Sequence, residues 1–226
     1  MKPYLQRSSF VSCLWLARSF KRIKLSQRLS LLWAWPFLFL AGCSTFQSID
    51  TPIAKTYAWH EVEPQLRALS EWSLYGKLGL RTPDDSVTAA INNWDQDDDQ
   101  FEIDISSTFF GLGSSKLFGN SDFLSIIQSG EKPISSFEPD KLVASVLGLP
   151  LPISHLPTWI KALPVAEQPY QLKFNEQGLP LTLQQDNWSL SFSNYHTEHS
   201  PPLPGKIKIQ RDDIRIILAV KEWTPR

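Results

Sequence analysis

The residues of this chain that could do chemistry are few and scattered. In Tyr195-His196-Thr197-Glu198-His199 two histidines stand three apart, a spacing that on a helix could set both on one metal ion. The segment lies between a strand pattern and Ser200-Pro201-Pro202-Leu203-Pro204. With no third ligand evident it reads as a solvated turn, and no metal is expected. Asp95-Gln96-Asp97-Asp98-Asp99 has the carboxylates of a calcium loop but lacks the glycine and closing glutamate of an EF-hand, so a polar hairpin turn is expected. His60 and His155 have no Gly-x-Ser-x-Gly elbow to serve as bases. Gly111-Leu112-Gly113-Ser114 is too short for a phosphate loop and lies between strands. Neither a catalytic residue nor a cofactor is expected. That leaves the two cysteines, Cys13 and Cys43, of which Cys43 ends an apolar run, WAWPFLFLAGCSTF at 33–46.

The apolar stretch from Leu31 to Gly42 is too short for a helical span of about 20 residues. Seven basic residues and no acidic one precede Cys43, and basic segment, apolar core and small residues follow in the order of a secretory signal. Leu40-Ala41-Gly42-Cys43 resembles the bacterial lipobox. That resemblance implies a signal peptide over 1–42, with the thiol of Cys43 as the nucleophile that takes up a diacylglyceryl group. It further implies a triacylated N-terminus, and several acyl chains anchor stably where one is marginal. Ser44 in place of Asp points, by the same resemblance, to the outer membrane.

Without its first 42 residues the chain carries 15 basic and 23 acidic side chains, a net charge of about −8. An acidic domain lacks the basic footprint of a nucleic-acid binder. With Cys13 removed and Cys43 acylated no intrachain disulfide is possible, so the fold must stand on its core. The remaining length, about 180 residues, is one ordinary domain.

Residues 43–58 read as an acylated start and a flexible polar tether. Trp59, Val62, Leu66 and Leu69 recur at helical spacing and predict a short helix at about 59–70. The period then falls to two. Trp72, Leu74, Leu78 and Leu80 share one face, then Val87, Ala89 and Ile91, then Phe101, Ile103 and Ile105, with polar turns between. This is the pattern of an antiparallel meander. Leu142, Val143, Val146 and Leu147 restore helical spacing between Pro139 and Gly148, and a further helix is expected near 154–163. Five more strand patterns follow. About 11 strands with three short helices cannot cover a long sheet face to face. The expected fold is mainly β: an unclosed antiparallel barrel with a helical lid over an apolar cavity.

In their order and spacing, several segments resemble the LolB family of outer-membrane lipoprotein receptors. These are Trp94-Asp95-Gln96, the Phe110-Gly111 loop, GLPLPISHLPTWIKALP at 148–164, LQQDNWSLSFSNY at 183–195 and the closing LPGKIKI and IRIILAVKEW. The likeness spans about Trp59 to Trp223 and makes 59–226 the lipoprotein-binding domain. It implies an unclosed barrel that accepts acylated lipoprotein cargo from a soluble LolA-like periplasmic carrier and places it in the outer membrane, working as a monomer without covalent chemistry. The chain departs from the family at one loop. Thr108-Phe109-Phe110-Gly111-Leu112 lacks the usual proline and carries phenylalanine where the family has an exposed leucine. Phe109, Phe110 and Leu112 are therefore expected to form an apolar tip for membrane insertion, since an exposed apolar tip needs a partner surface. Trp72, Leu74, Leu78, Ile91, Ile103, Ile105, Leu142, Val146, Trp159 and Ile160 are the expected cavity residues. A membrane-anchored carrier of another apolar ligand and a structural lipoprotein are the alternatives.

Overall fold

Two antiparallel meanders make one sheet. The computed structural model describes residues 55–106, 114–148 and 150–226. Helix α1 (Trp59–Ala68) buries Val62 and Leu66, one turn apart, and leads into the first meander. That meander comprises β1 (Trp72–Arg81), β2 (Ser86–Asp97), β3 (Gln100–Ser106), β4 (Ser114–Gly119), β5 (Leu124–Gln128) and β6 (Ile134–Ser136). The second comprises β7 (Tyr170–Phe174), β8 (Pro180–Gln185), β9 (Trp188–Ser193), β10 (Lys206–Arg211) and β11 (Ile214–Pro225). Their union is the pairing of the first strand with the last, from Trp72 opposite Pro225 to Arg81 opposite Arg215. The order is β6-β5-β4-β3-β2-β1-β11-β10-β9-β8-β7. β6 and β7 form the two edges, so the sheet is not closed.

Local chemistry sets the turns and the bend. Asp186 and Asn187 take φ of 49° and 60°, the two left-handed residues of the tight hairpin that joins β8 to β9. Gly76 sits where the β1–β11 register slips. A Cβ there would lie 2.3 Å from the Ala219 carbonyl oxygen, so this bulge, which re-aims both strands, requires glycine.

The chain crosses from edge β6 to edge β7 through its helical middle. Helix α2 (Pro139–Leu147) begins with proline, where the missing N–H costs nothing, and stops at Gly148 with φ 68°. A 3-10 turn (Ile153–His155) and a four-residue helix α3 (Leu156–Trp159) follow. The helix expected near 154–163 is thus shorter than its apolar spacing suggested. Ala162 adopts φ 62°, a left-handed conformation that no α-helix continues, and residues 160–163 form a buried turn instead. The crossing segment forms a strap over one face of the sheet, since a connection between opposite edges has to pass across it.

Candidate functional site: an apolar cavity under the strap

Beneath the strap lies a cavity of about 160 Å³. Its floor is set by the period-two alternation of the strands. Leu78 and Leu80 of β1, Val87, Ala89 and Ile91 of β2, and Ile103 and Ile105 of β3 all turn toward it. Trp94 of β2, Leu117 of β4, Ile126 of β5, Ile209 of β10, and Ile216 and Leu218 of β11 complete the sheet side. From above come Val143 and Val146 of α2, then Ile153, Leu156 and Ile160. Among the described residues, only two that line it are polar, Ser115 and Gln128. They are cross-strand partners on β4 and β5, so the polar groups meet at one place on an otherwise apolar wall.

Leu78, Ile91, Ile103, Ile105, Val146 and Ile160 line this cavity. Trp72, Leu74, Leu142 and Trp159 do not. All four are buried, at 0 %, 2 %, 7 % and 0 % exposure, within packed core. Trp72 lies 5.6 Å from the Trp94 ring and 5.2 Å from Trp223, so aromatic volume fills the space that a cavity would need. Leu80, Ala89, Ile216 and Leu218 were missed as cavity residues. Their alternation was visible, but which inward positions face empty space depends on the β1–β11 pairing, and no local pattern encodes that. Cys43 and the loop residues Phe109, Phe110 and Leu112 lie outside the described residues.

The strap is pinned at its α3 end by a buried polar knot. The Gln185 side chain, 3 % exposed, accepts hydrogen bonds from Trp159 Nε1 and the Val165 amide and donates to the Val165 carbonyl, each at 2.9 Å. Lys161 Nζ donates to the Leu69 carbonyl at 2.7 Å, satisfying the C-terminal end of α1. Burial, then the nearby Arg67 charge, pushes the Lys161 pKa down to about 8. Within the strap, Asp140 of α2 accepts from the Ser154 amide at 3.1 Å and hydroxyl at 3.0 Å, joining α2 to the 3-10 turn.

Elsewhere the turn at 195–199 is not merely solvated. It brings His196 Nδ1 to 2.9 Å from Glu198 Oε1, with His199 beside them. The Asp95–Asp99 stretch is, as its composition suggested, the hairpin between β2 and β3, where Asp98 takes φ 52°.

An unclosed antiparallel sheet strapped by short helices over an apolar hollow is the structural class to which this chain belongs. Comparison with known proteins narrows it. A family model described as "Outer membrane lipoprotein LolB" matches residues 70–223. Relatives named "Outer-membrane lipoprotein LolB" occur in Marinobacter nauticus and Cellvibrio japonicus. The first is 32% identical over 190 residues, covering 81% of this chain and 91% of the relative. The second is 33% identical over 189 residues, covering 81% and 90%. The chain belongs to the LolB family. A crystal structure of a LolA superfamily protein from Nitrosomonas europaea aligns with TM-score 0.42 at 8% identity, over 75% of this chain and 93% of that one. That likeness is too distant to bear on function.

Proposed function

We propose that this chain is an outer-membrane lipoprotein receptor that takes acylated lipoprotein cargo from a LolA-type periplasmic carrier into the cavity and passes it to the membrane. The observation that carries the reading is the cavity wall, whose described residues are apolar except for Ser115 and Gln128, in a chain whose relatives are named LolB. Transfer of this kind needs no bond making, only a gradient of burial. Each CH₂ moved out of water is worth about 0.8 kcal/mol, so a modest difference in how much of a chain two cavities enclose decides which holds it. Ser115 and Gln128 would meet the ester and amide carbonyls where the acyl chains join the cargo. Residues 1–42 serve as signal peptide, Cys43 as the acylated anchor, 43–58 as tether, and 59–226 as a receptor domain working as a monomer. Phe109, Phe110 and Leu112 form the tip that enters lipid.

The test is a transfer assay. LolA loaded with labelled lipoprotein is mixed with this protein carrying Cys43→Ser, and the holder of the label is read by pull-down. Movement of cargo to this protein is expected; no movement, from protein whose circular dichroism shows it folded, overturns the reading. In the same assay with vesicles, Phe110→Glu is expected to accept cargo normally but to slow its delivery. Unchanged delivery removes the tip from the account.

A further inference from the structure

The loop that joins β9 to β10 holds an arrangement the cavity does not use. We propose that His196, Glu198 and His199 form a binding site for a divalent transition cation of the zinc class. One ligand atom from each, two imidazole nitrogens and a carboxylate oxygen, lies within 4.8 Å of the others. Two histidines and a carboxylate are a common ligand set for zinc with an open fourth position. Imidazole nitrogen also favours zinc, copper or nickel over calcium and magnesium, which prefer oxygen.

The site is built rather than incidental. The His196 side chain is only 20% exposed, and its backbone bridges to Leu203, the amide donating at 2.8 Å. Its ring rests against Gly205, where a Cβ would stand 3.0 Å from Nε2 and 2.2 Å from the Asn194 carbonyl oxygen. Glycine is therefore what lets the imidazole lie there. Nε2 faces the Val220 carbonyl at 3.4 Å, the usual orienting contact of a metal-bound histidine. With the proton on Nε2, Nδ1 presents a lone pair toward Glu198 Oε1, 2.9 Å away. That separation is an ordinary N–H···O hydrogen bond when Nδ1 carries the proton, and a cation can take the proton's place when it does not. A proton would serve the pair, but it would leave His199 without a role. A metal ion uses all three. Bonds of about 2.0–2.2 Å set tetrahedral ligand atoms about 3.3–3.6 Å apart, so a small side-chain adjustment, easiest for Glu198, whose side chain is 64% exposed, would bring the three to that spacing.

The experiment is calorimetric titration of zinc chloride into the untagged, chelator-stripped full chain in detergent. One zinc per chain is expected, undisturbed by millimolar magnesium. His199→Ala should weaken binding at least tenfold and Glu198→Gln by less, whereas His60→Ala, an exposed histidine far along the chain, should leave it unchanged. Circular dichroism and cargo transfer should be the same in all three variants, which separates this site from the receptor reading. No zinc uptake by the parent chain overturns the proposal. So does uptake that survives in a His196→Ala, His199→Ala double variant.

Discussion

The same strands are solid at one end and hollow at the other. Where β1 begins and β2 and β11 end, Trp72, Trp94 and Trp223 pack ring against ring, and Trp223 Nε1 donates to the Pro204 carbonyl at 2.9 Å. Further along these strands the inward positions carry Leu78, Leu80, Ala89, Ile216 and Leu218, and the cavity lies among them. Both ends are apolar, and bulges between them shift the alternation in β2 and β11 so that the same face stays inward. What differs is side-chain volume: Trp72 and Trp223 fill one end, Trp94 stands between, packed on Trp72 and lining the cavity, and beyond it aliphatic chains and one alanine leave space. A binding hollow in a β-sheet is thus written in the size of the inward residues and in the pairing that sets them opposite one another.

Substitutions can break this contrast. The largest effect is expected at the solid end. Trp72→Ala should cost about 3–5 kcal/mol, read as a fall in the urea midpoint, because the fully buried ring has two aromatic neighbours to lose. A smaller effect belongs to Lys161, which ties the strap to the residues just before β1. Its pKa is about 8 in the folded chain and about 10.4 when unfolded. Between these values the unfolded chain binds more protons, so stability rises with pH. Compared with Lys161→Met, the parent should gain melting temperature from pH 8 to about 10.4 and show no relative change below 8. A flat difference across that window would remove the buried charge from the account. At the hollow end, Leu78→Ala should cost only about 1 kcal/mol, below the about 2–5 kcal/mol of a packed leucine, since one side of Leu78 already faces empty space. A cost like that of Trp72→Ala would show that the hollow is packed in solution. A change in stability no larger than that of Leu78→Ala, about 1 kcal/mol, is expected of Leu117→Trp. It fills the hollow and should abolish uptake of a fluorescent fatty acid while the midpoint moves no more than for Leu78→Ala.

Much of this was legible in the chain. Period-two runs gave the strands, because a half-buried strand has to alternate. Pro139 and Gly148 bracketed α2, because one suits a first helical position and the other a left-handed stop. Residues 154–163 misled, because apolar spacing says nothing of a backbone that turns at Ala162. Of the expected cavity residues, Trp72, Leu74, Leu142 and Trp159 pointed inward but into packed core. Distance along a strand to the hollow is a tertiary quantity. In the 195–199 turn the spacing of the histidines hid Glu198 as a third ligand, because a turn lays neighbours side by side that a helix would part.

The missing bond between β6 and β7 has a mechanical meaning. A cavity of about 160 Å³ is close to the size that holds a benzene ring, about 150 Å³, far short of a long acyl chain. A closed barrel could widen only by tearing a ladder of hydrogen bonds. This sheet can spread its two edges like the jaws of a spring clip, with every strand pairing intact. The polar ties from Trp159 and Val165 to Gln185 and from Lys161 to the Leu69 carbonyl fall at the strap's α3 end, so opening on the α2 side would leave them intact.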